Sequence, residues 1–206
     1  MTALVAGTAA PALAQSPPAP IWQGWYAGVD VGGTARSGQN TLLTTGVTTD
    51  SSSGGAGVGI HGGYNWQSGP WVFGGEADWS HSFINGGHDD VDMFSARARA
   101  GWAFASAAMI YATAGIATEN RFLYDRRTIG TTTASFSDEQ QHLGPIVGGG
   151  LDTMLGKQIS VRGEVLYFIG SREQYNYPAA GIFSASSVSS TFNQIIYRAG
   201  ATYHFN

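Results

Sequence analysis

Apolar and polar residues alternate with a period of two along most of the chain after residue 22. Because successive side chains of a β-strand point to opposite faces, this period predicts strands with one apolar and one polar face. In WVFGGEADW, Trp71, Phe73 and Trp79 share one face, and Glu76 and Asp78 share the other. Eight runs of this kind are found: WYAGVDVGG, GVGIHGGYNWQ, WVFGGEADW, MFSARARAGWAF, MIYATAGIAT, LGPIVGGGLDTML, QISVRGEVLYFI and NQIIYRAGATYHF. The pattern therefore predicts an all-β protein.

Two runs fit the strand pattern less well than the others. MIYATAGIAT, which begins at Met109, is apolar on both faces, so the alternation does not decide which face is which. LGPIVGGGLDTML contains Pro145 and three glycines, and a proline cannot donate to the hydrogen-bond ladder of a sheet.

The connections between the runs alternate between short and long. Short ones lie at 68–70, 105–108 and 155–157, and long ones at 34–54, 84–92, 119–141 and 171–192. Transmembrane barrels have short periplasmic turns and long outer loops, and a tilted strand of about ten residues crosses the hydrocarbon layer. We therefore predict an eight-stranded antiparallel, up-and-down transmembrane β-barrel in the outer membrane, with both termini on the periplasmic side.

Aromatic residues of the apolar face concentrate near the predicted short turns. Six of them form a predicted periplasmic girdle, because indole and phenol rings settle at the boundary between membrane and water. They are Trp25, Trp66, Trp71, Trp102, Tyr203 and Phe205. The alternative is a soluble barrel with these rings inside, but so many aromatics would overfill a small barrel.

The polar faces carry charges that a membrane barrel would point into its lumen. They are Asp30, Glu76, Asp78, Arg97, Arg99, Asp152, Arg162, Glu164 and Arg198. With a hairpin centred near Gly87, Asp78 would oppose Arg97 and Glu76 would oppose Arg99. Five acids and four bases nearly neutralise each other. We favour a lumen plugged by ion pairs over a narrow ion path lined by charges.

The first residues are apolar and small and end in Ala12-Leu13-Ala14, which is typical of a secretory signal, although the usual basic opening segment is missing. The predicted organisation is a signal peptide at 1–14, a proline-rich linker at 15–22 and the barrel domain at 23–206. A disordered apolar N-terminus is the alternative.

Composition narrows the partners. Charged residues make up 12% of the chain, the net charge is -4, and the ten basic residues are scattered, so nucleic acid is excluded as a partner. There is no cysteine, which removes thiolate chemistry.

The runs WQGWYAGVDVGG, GGYNWQSGPWVFGGEADW, ARARAGWAF, VRGEVLYF and YRAGATYHF resemble the small porin-like outer-membrane β-barrel surface antigens of alpha-proteobacteria, which are related to the transmembrane domain of OmpA. The resemblance covers the chain after the signal. It implies folding by the outer-membrane insertion machinery and roles in envelope integrity and surface contact, with weak pore or haem-binding activity in some members. The family usually ends on an aromatic residue, whereas here Asn206 follows Phe205.

Candidate metal and catalytic residues have simpler interpretations. His88, Asp89, Asp90 and Asp92 lack the spacing of a calcium loop, so we expect a solvated acidic loop and no metal. Ser80, His81 and Ser82 lie near the predicted outer rim, but Ser80 and His81 would point to opposite faces. We therefore predict no enzyme.

Histidines and outer loops leave further ligands open. His61 and His204 are candidate haem ligands on the polar face, and His142, Tyr175 and Tyr177 are candidates for haem capture from outside, but a hydrogen-bonded histidine is the commoner role. We predict no cofactor. In the long loops, Arg126 and Arg127 are the candidate contact to lipopolysaccharide phosphates.

The sequence as a whole predicts a monomeric structural and surface protein that contacts outer-membrane lipids, lipopolysaccharide, the insertion machinery and a host surface. The alternative is a small porin-like channel or a haem- or ligand-binding transport protein.

Overall fold

The computed structural model describes residues 21–84, 89–105, 107–129, 132–170, 173–177 and 186–205. The predicted signal, most of the predicted linker and Asn206 lie outside these ranges. The strands within them are β1 (Gly24–Leu42), β2 (Val47–Ser68), β3 (Trp71–Ile84), β4 (Asp89–Ala103), β5 (Ala108–Ile129), β6 (Thr132–Met154), β7 (Ile159–Ile169), β8 (Glu173–Tyr177) and β9 (Ser186–His204). No helix in the described ranges is long and apolar enough to span a membrane.

The strands form one closed antiparallel barrel. Neighbours along the chain pair in order from β1 to β7, β7 pairs with β9, and β9 pairs back to β1. The short β8 pairs with β9 beyond the point where β7 ends, since Ile169 lies opposite Asn193 and Glu173 lies opposite Ser190. β8 therefore continues the line of β7, and the eight-stranded up-and-down barrel predicted from the alternation is confirmed.

The strands are longer than the predicted ten residues. β1 and β2 stay paired as far as Leu42 and Val47, and β5 and β6 stay paired as far as Ile129 and Thr132. Segments 34–54 and 119–141, which the sequence predicted as loops, are therefore mostly extended hairpins. Segment 34–54 is rich in Ser, Thr and Gly and segment 119–141 is rich in charged and polar residues, and in both the ladder of paired strands continues beyond the apolar part of the barrel wall.

The short turns lie where the sequence predicted them. At the first of these turns Gly69 has a φ of 58°, which is the left-handed region where glycine is favoured. The next two short turns are tied to their neighbours by backbone bonds, from Met154 N to Ala107 O at 2.7 Å and from His204 N to Gln158 O at 2.8 Å. The periplasmic end of the barrel is therefore a compact set of linked turns.

The structure decides the facing of the two irregular runs. Met109, Tyr111 and Thr113 of β5 point inward, while Ile110 and Ile116 point outward. Pro145 of β6 faces outward and pairs with β5, and the pairing of β6 with β7 begins only at the next residue, Ile146. A residue without an N–H is tolerated there because the second ladder has already ended.

Candidate functional site

The outward face of the barrel carries a continuous apolar band. On β1 it runs from Trp25 to Ala35, ten residue steps along the strand. At about 3.3 Å per residue and a tilt of about 40°, this span has a height of about 25 Å, which is the apolar height of outer-membrane barrels. The band ends abruptly, because the next outward residues on β1 are Ser37 and Gln39.

The six predicted girdle residues all lie on this outward face near the short turns. Their exposed fractions run from 42% for Tyr203 to 66% for Trp25. Trp71 and Trp102 are directly opposite each other on β3 and β4, and their rings stack with centroids 6.5 Å apart. The other four are Trp25, Trp66, Tyr203 and Phe205. The rings therefore lie toward the periplasmic edge of the band.

The inward face brings together all nine charged residues that the sequence singled out. None of them is more than 8% exposed. They are Asp30, Glu76, Asp78, Arg97, Arg99, Asp152, Arg162, Glu164 and Arg198. We call this group the ionic cluster.

Glu76 lies at the centre of the ionic cluster. Its carboxylate accepts from Arg97 Nη2 at 2.5 Å and from Arg162 Nη1 at 2.8 Å. Arg99 Nη1 also donates to it, at 3.3 Å. Three guanidinium groups therefore converge on one buried carboxylate. The contact with Arg162 links β3 to β7 across the lumen.

The remaining pairs complete a network across the barrel. Arg162 makes a two-point contact with Asp30, from Nε and Nη2 at 2.9 Å each. Arg198 bridges Glu164 at 2.6 Å and Asp78 at 2.9 Å. Two further pairs are Arg99 with Asp152 at 2.7 Å and Arg97 with Glu164 at 3.0 Å.

The predicted pairing of β3 with β4 is wrong by two residues. Glu76 lies opposite Arg97, and Asp78 lies opposite Ser95, whose hydroxyl donates to it. A shift of two keeps every side chain on its face, so alternation cannot detect it. The register is instead compatible with the stacked Trp71–Trp102 pair, and it lets Arg97 also reach Asp78 diagonally, at 3.0 Å.

Sequence reasoning missed the two tyrosines of the network, and it named His61 only as a histidine of the polar face. Tyr26 OH donates to Glu76 Oε2 and Tyr111 OH donates to Glu164 Oε1, both at 3.0 Å. His61 lies between Asp30 and Thr202, with ring nitrogens 2.8 Å and 2.9 Å from their oxygens. For Tyr26 and His61 the signal was present, since both share the polar face of their strands. Tyr111 was hidden in the run that is apolar on both faces.

An apolar cluster lies on each side of the ionic cluster. The periplasmic one contains Trp22, Val72, Ala103, Met109, Tyr111 and Met154. The outer one contains Met93, Ala117, Ile146, Leu166, Phe168 and Phe192. The order is visible along β6, where the inward residues run from Met154 through Asp152 to Ile146. The charges are therefore layered between two apolar groups.

The periplasmic apolar cluster includes a residue from outside the strands. Trp22 is completely buried, and its backbone N–H donates to Gln67 Oε1 at 3.0 Å. Its ring meets His204 edge-on, with centroids 5.7 Å apart. The segment before β1 therefore folds under the barrel and contributes to its interior.

A separate ion pair, outside the ionic cluster, lies in the outer part of the lumen. Arg36 Nη2 contacts Glu119 Oε1, and the Arg36 guanidinium lies 4.1 Å from the centre of the Phe192 ring. Both residues are buried. The sequence did not single them out, because Arg36 and Glu119 fall in segments predicted as loops.

The other sequence candidates are placed as follows. His81 faces outward, with Nδ1 2.9 Å from Asp92 and Nε2 3.9 Å from Asp90. Its neighbours Ser80 and Ser82 point to the opposite face of β3, so these three residues do not form a nucleophile and base pair. Within the described residues, no group of three or more possible ligands is placed to hold a metal. His88 and the side chain of Asp89 are not among the described parts of the structure.

His61, His142 and His204 face the lumen. Both ring nitrogens of His61 are engaged, and His204 Nε2 is 3.0 Å from Ser160 Oγ. His142 is 2% exposed and packs edge-on against Phe192, so this candidate for haem capture does not reach the outer surface. Alternation continued further up β6 than the sequence indicated, and it turns this side chain inward. The side chains of Tyr175 and Tyr177 are outside the description.

Solved structures of outer-membrane barrels share this fold. OprG from Pseudomonas aeruginosa matches with a TM-score of 0.54 and 13% identity over 89% of this chain and 97% of that one. The protease OmpT from Escherichia coli matches with a TM-score of 0.52 and 10% identity over 88% and 96%. AlkL, solved in lipid bilayers, matches with a TM-score of 0.50 and 14% identity over 98% and 97%. At these identities the likeness shows the fold alone.

No curated protein sequence matches the chain. A family defined as "Outer membrane protein beta-barrel domain" matches residues 1–205, which is nearly the whole length. The apolar band, the inward charges and the closed antiparallel sheet are what such a domain requires. The chain belongs to this family of outer-membrane β-barrels.

Proposed function

We propose that this barrel is a structural and surface protein of the outer membrane whose lumen is closed to solutes. In this role the barrel wall anchors the protein among outer-membrane lipids, and the extended outer hairpins meet the surroundings of the cell. The proposal includes a monomeric barrel without catalysis, inserted by the outer-membrane machinery.

The layered lumen is the observation that carries this proposal. A conducting path lined by charges is built from rings of charged side chains around a passage that an ion can enter and leave. Here four arginines and five carboxylates bind one another in the middle of the barrel, and each is at most 8% exposed. Apolar side chains follow at both ends. An ion entering the lumen would have to pass an apolar layer and then break buried ion pairs, which is costly.

Transport is the alternative function, and the geometry favours it less. A haem inside the lumen would have to displace the contacts of His61 and His204 and the ionic cluster. A narrow channel would have to open through Phe168 and Phe192 on the outer side, whose rings lie 6.0 Å apart. Catalysis would need a nucleophile and a base in contact at the rim, and His81 is instead paired with Asp92.

Contact with lipopolysaccharide phosphates remains part of the proposal. Arg126 and Arg127 fall on β5 in the outer hairpin, well above the apolar band. Their side chains are outside the description, so their candidacy rests on sequence and on this position. Host contact likewise rests on the length of the outer hairpins.

A deletion strain separates the structural role from transport. Loss of a structural barrel should increase sensitivity to detergents and bulky antibiotics, and should leave the uptake of small solutes unchanged or slightly faster. Complementation with the wild-type chain should reverse the sensitivity. Slower uptake of a small solute, restored by complementation, would contradict the structural role and favour transport.

A further inference from the structure

The wall formed by β9, β1 and β2 carries an open cavity on the outside of the barrel. Its volume is about 480 Å³, which lies in the usual range of small-ligand sites. Besides Gly38 and Ser51, six outward-facing residues line it: Ser37, Gln39, Asp50, Ser52, Thr191 and Asn193. We call them the six-residue polar site.

The six-residue polar site is built by the strand register as two rows of three. In the lower row Ser37 lies between Ser52 and Asn193, and in the upper row Gln39 lies between Asp50 and Thr191. Side chains directly opposite on neighbouring strands are about 5 Å apart, so polar groups of both rows can reach one small ligand together.

The height of this site follows from the row directly below it. Ala35 lies opposite Gly54 and Ile195, and these three are the last members of the apolar band on their strands. The lower row of the polar site is the next outward row. The site therefore stands immediately above the hydrocarbon on the outer side, at the height of lipid headgroups.

The chemistry of the site favours sugar hydroxyls over phosphate. Its side chains are hydroxyls, amides and one carboxylate, and none of the residues that line it is basic. A carboxylate accepts two hydrogen bonds from neighbouring hydroxyls and repels a phosphate, while Ser, Thr, Asn and Gln both donate and accept. The nearest base on β1, Arg36, faces inward and contacts Glu119.

We propose that the six-residue polar site binds a saccharide, and that its position presents it to the sugar headgroups of outer-leaflet glycolipids. Polar side chains on a sheet above a membrane are ordinarily solvated. This site differs because its side chains line a cavity together. The six residues lie directly opposite one another on three strands, they include one carboxylate, and they stand at the height where headgroup sugars lie. The proposal does not depend on whether the lumen conducts.

Amide NMR of the full chain in nanodiscs tests this proposal in two arms. One arm uses phospholipid nanodiscs with added free glucosamine disaccharide, and the other uses nanodiscs that contain lipopolysaccharide with inner-core sugars. Binding should shift the amides of Ser37, Ser52 and Asn193 and leave those of the periplasmic turns unchanged. A shift in both arms indicates a site for free and lipid-linked sugars, and a shift with lipopolysaccharide alone indicates a headgroup site.

The variant Asp50→Asn keeps the shape of the side chain and removes its charge. We expect it to weaken saccharide binding about tenfold, because hydrogen bonds to a charged group are the strong ones. The matched control is Thr41→Val with Thr48→Val, a hydrogen-bonded pair on the same two strands in the next outward row, which does not line the cavity. This control should bind like the wild type.

Three results would overturn the proposal. They are unchanged amides in both arms, equal binding by the wild type and Asp50→Asn, and an equal loss in Asp50→Asn and the control. Heat-dependent gel mobility checks that each variant is folded. If Asp50→Asn does not fold, Gln39→Ala removes an amide from the same row and takes its place.

Discussion

At the scale of single residues, the interior of this barrel depends on buried charges that satisfy one another. Arg97 contacts three carboxylates, with Glu76, Asp78 and Glu164 all within 3.0 Å of its guanidinium. A buried pair contributes little compared with an apolar replacement, but the loss of one partner leaves the others uncompensated. Removing any one member of the ionic cluster should therefore destabilise the folded barrel, because its partners would remain buried without a counter-charge.

Replacing Arg97 by alanine should strongly destabilise the barrel. Three carboxylates would lose a buried partner, which we expect to lower the free energy of unfolding by about 3–5 kcal/mol. Denaturant unfolding of refolded protein, followed by tryptophan fluorescence, measures this change. Lys157→Ala, at an exposed periplasmic turn, is the control and should unfold like the parent. Equal midpoints for Arg97→Ala and the parent would contradict the assignment of Arg97 to the interior.

At Gly69 the backbone conformation selects the residue. Gly69 and Gly156 both lie at short turns, and a Cβ added at either would meet nothing within 4 Å. Of these two glycines, only Gly69 has a left-handed φ, of 58°. Gly69→Ala should therefore cost about 1–2 kcal/mol of stability, whereas Gly156→Ala should be nearly neutral. The difference between their unfolding midpoints isolates the backbone effect, and identical midpoints would argue against this turn conformation.

At the scale of elements, alternation predicts the strands and their facing but not their register or length. Strand existence follows from period two, and the girdle and the ionic cluster follow from sorting residues by face. Register stays open because a shift of two preserves both faces, as with Glu76 and Arg97. Length was underestimated in the outer hairpins, whose largely polar strands carry no apolar face to signal them. Arg36, Glu119 and His142 were therefore hidden in predicted loops.

Cysteine pairs test the register of β3 with β4. Ala77 and Ala96 are directly opposite each other in the structure, whereas the register predicted from sequence places Ala98 opposite Ala77. The chain has no cysteine of its own, so Ala77→Cys with Ala96→Cys should form a disulfide on mild oxidation. Ala77→Cys with Ala98→Cys should remain reduced. Gel mobility with and without reductant separates the two, and the opposite outcome would restore the other register.

At the scale of the whole molecule, an apolar, an ionic and a second apolar layer are stacked inside a wall with an apolar outer band. Outside, the band of about 25 Å matches the hydrocarbon of the outer membrane. Inside, the order is apolar, ionic and apolar from the periplasmic turns outward. This arrangement stabilises the barrel from within and leaves the outer hairpins and the wall above the membrane as the surfaces that meet other molecules.

Single-channel conductance in a planar bilayer tests the closed lumen most directly. Refolded protein is added to the bilayer after its folded state is confirmed by heat-dependent gel mobility, and a general porin reconstituted in parallel verifies the assay. A lumen filled by the ionic cluster between two apolar layers should give no conductance steps at any of several salt concentrations. Reproducible steps that scale with salt concentration would mean that the charges line an open path, and would contradict the closed lumen.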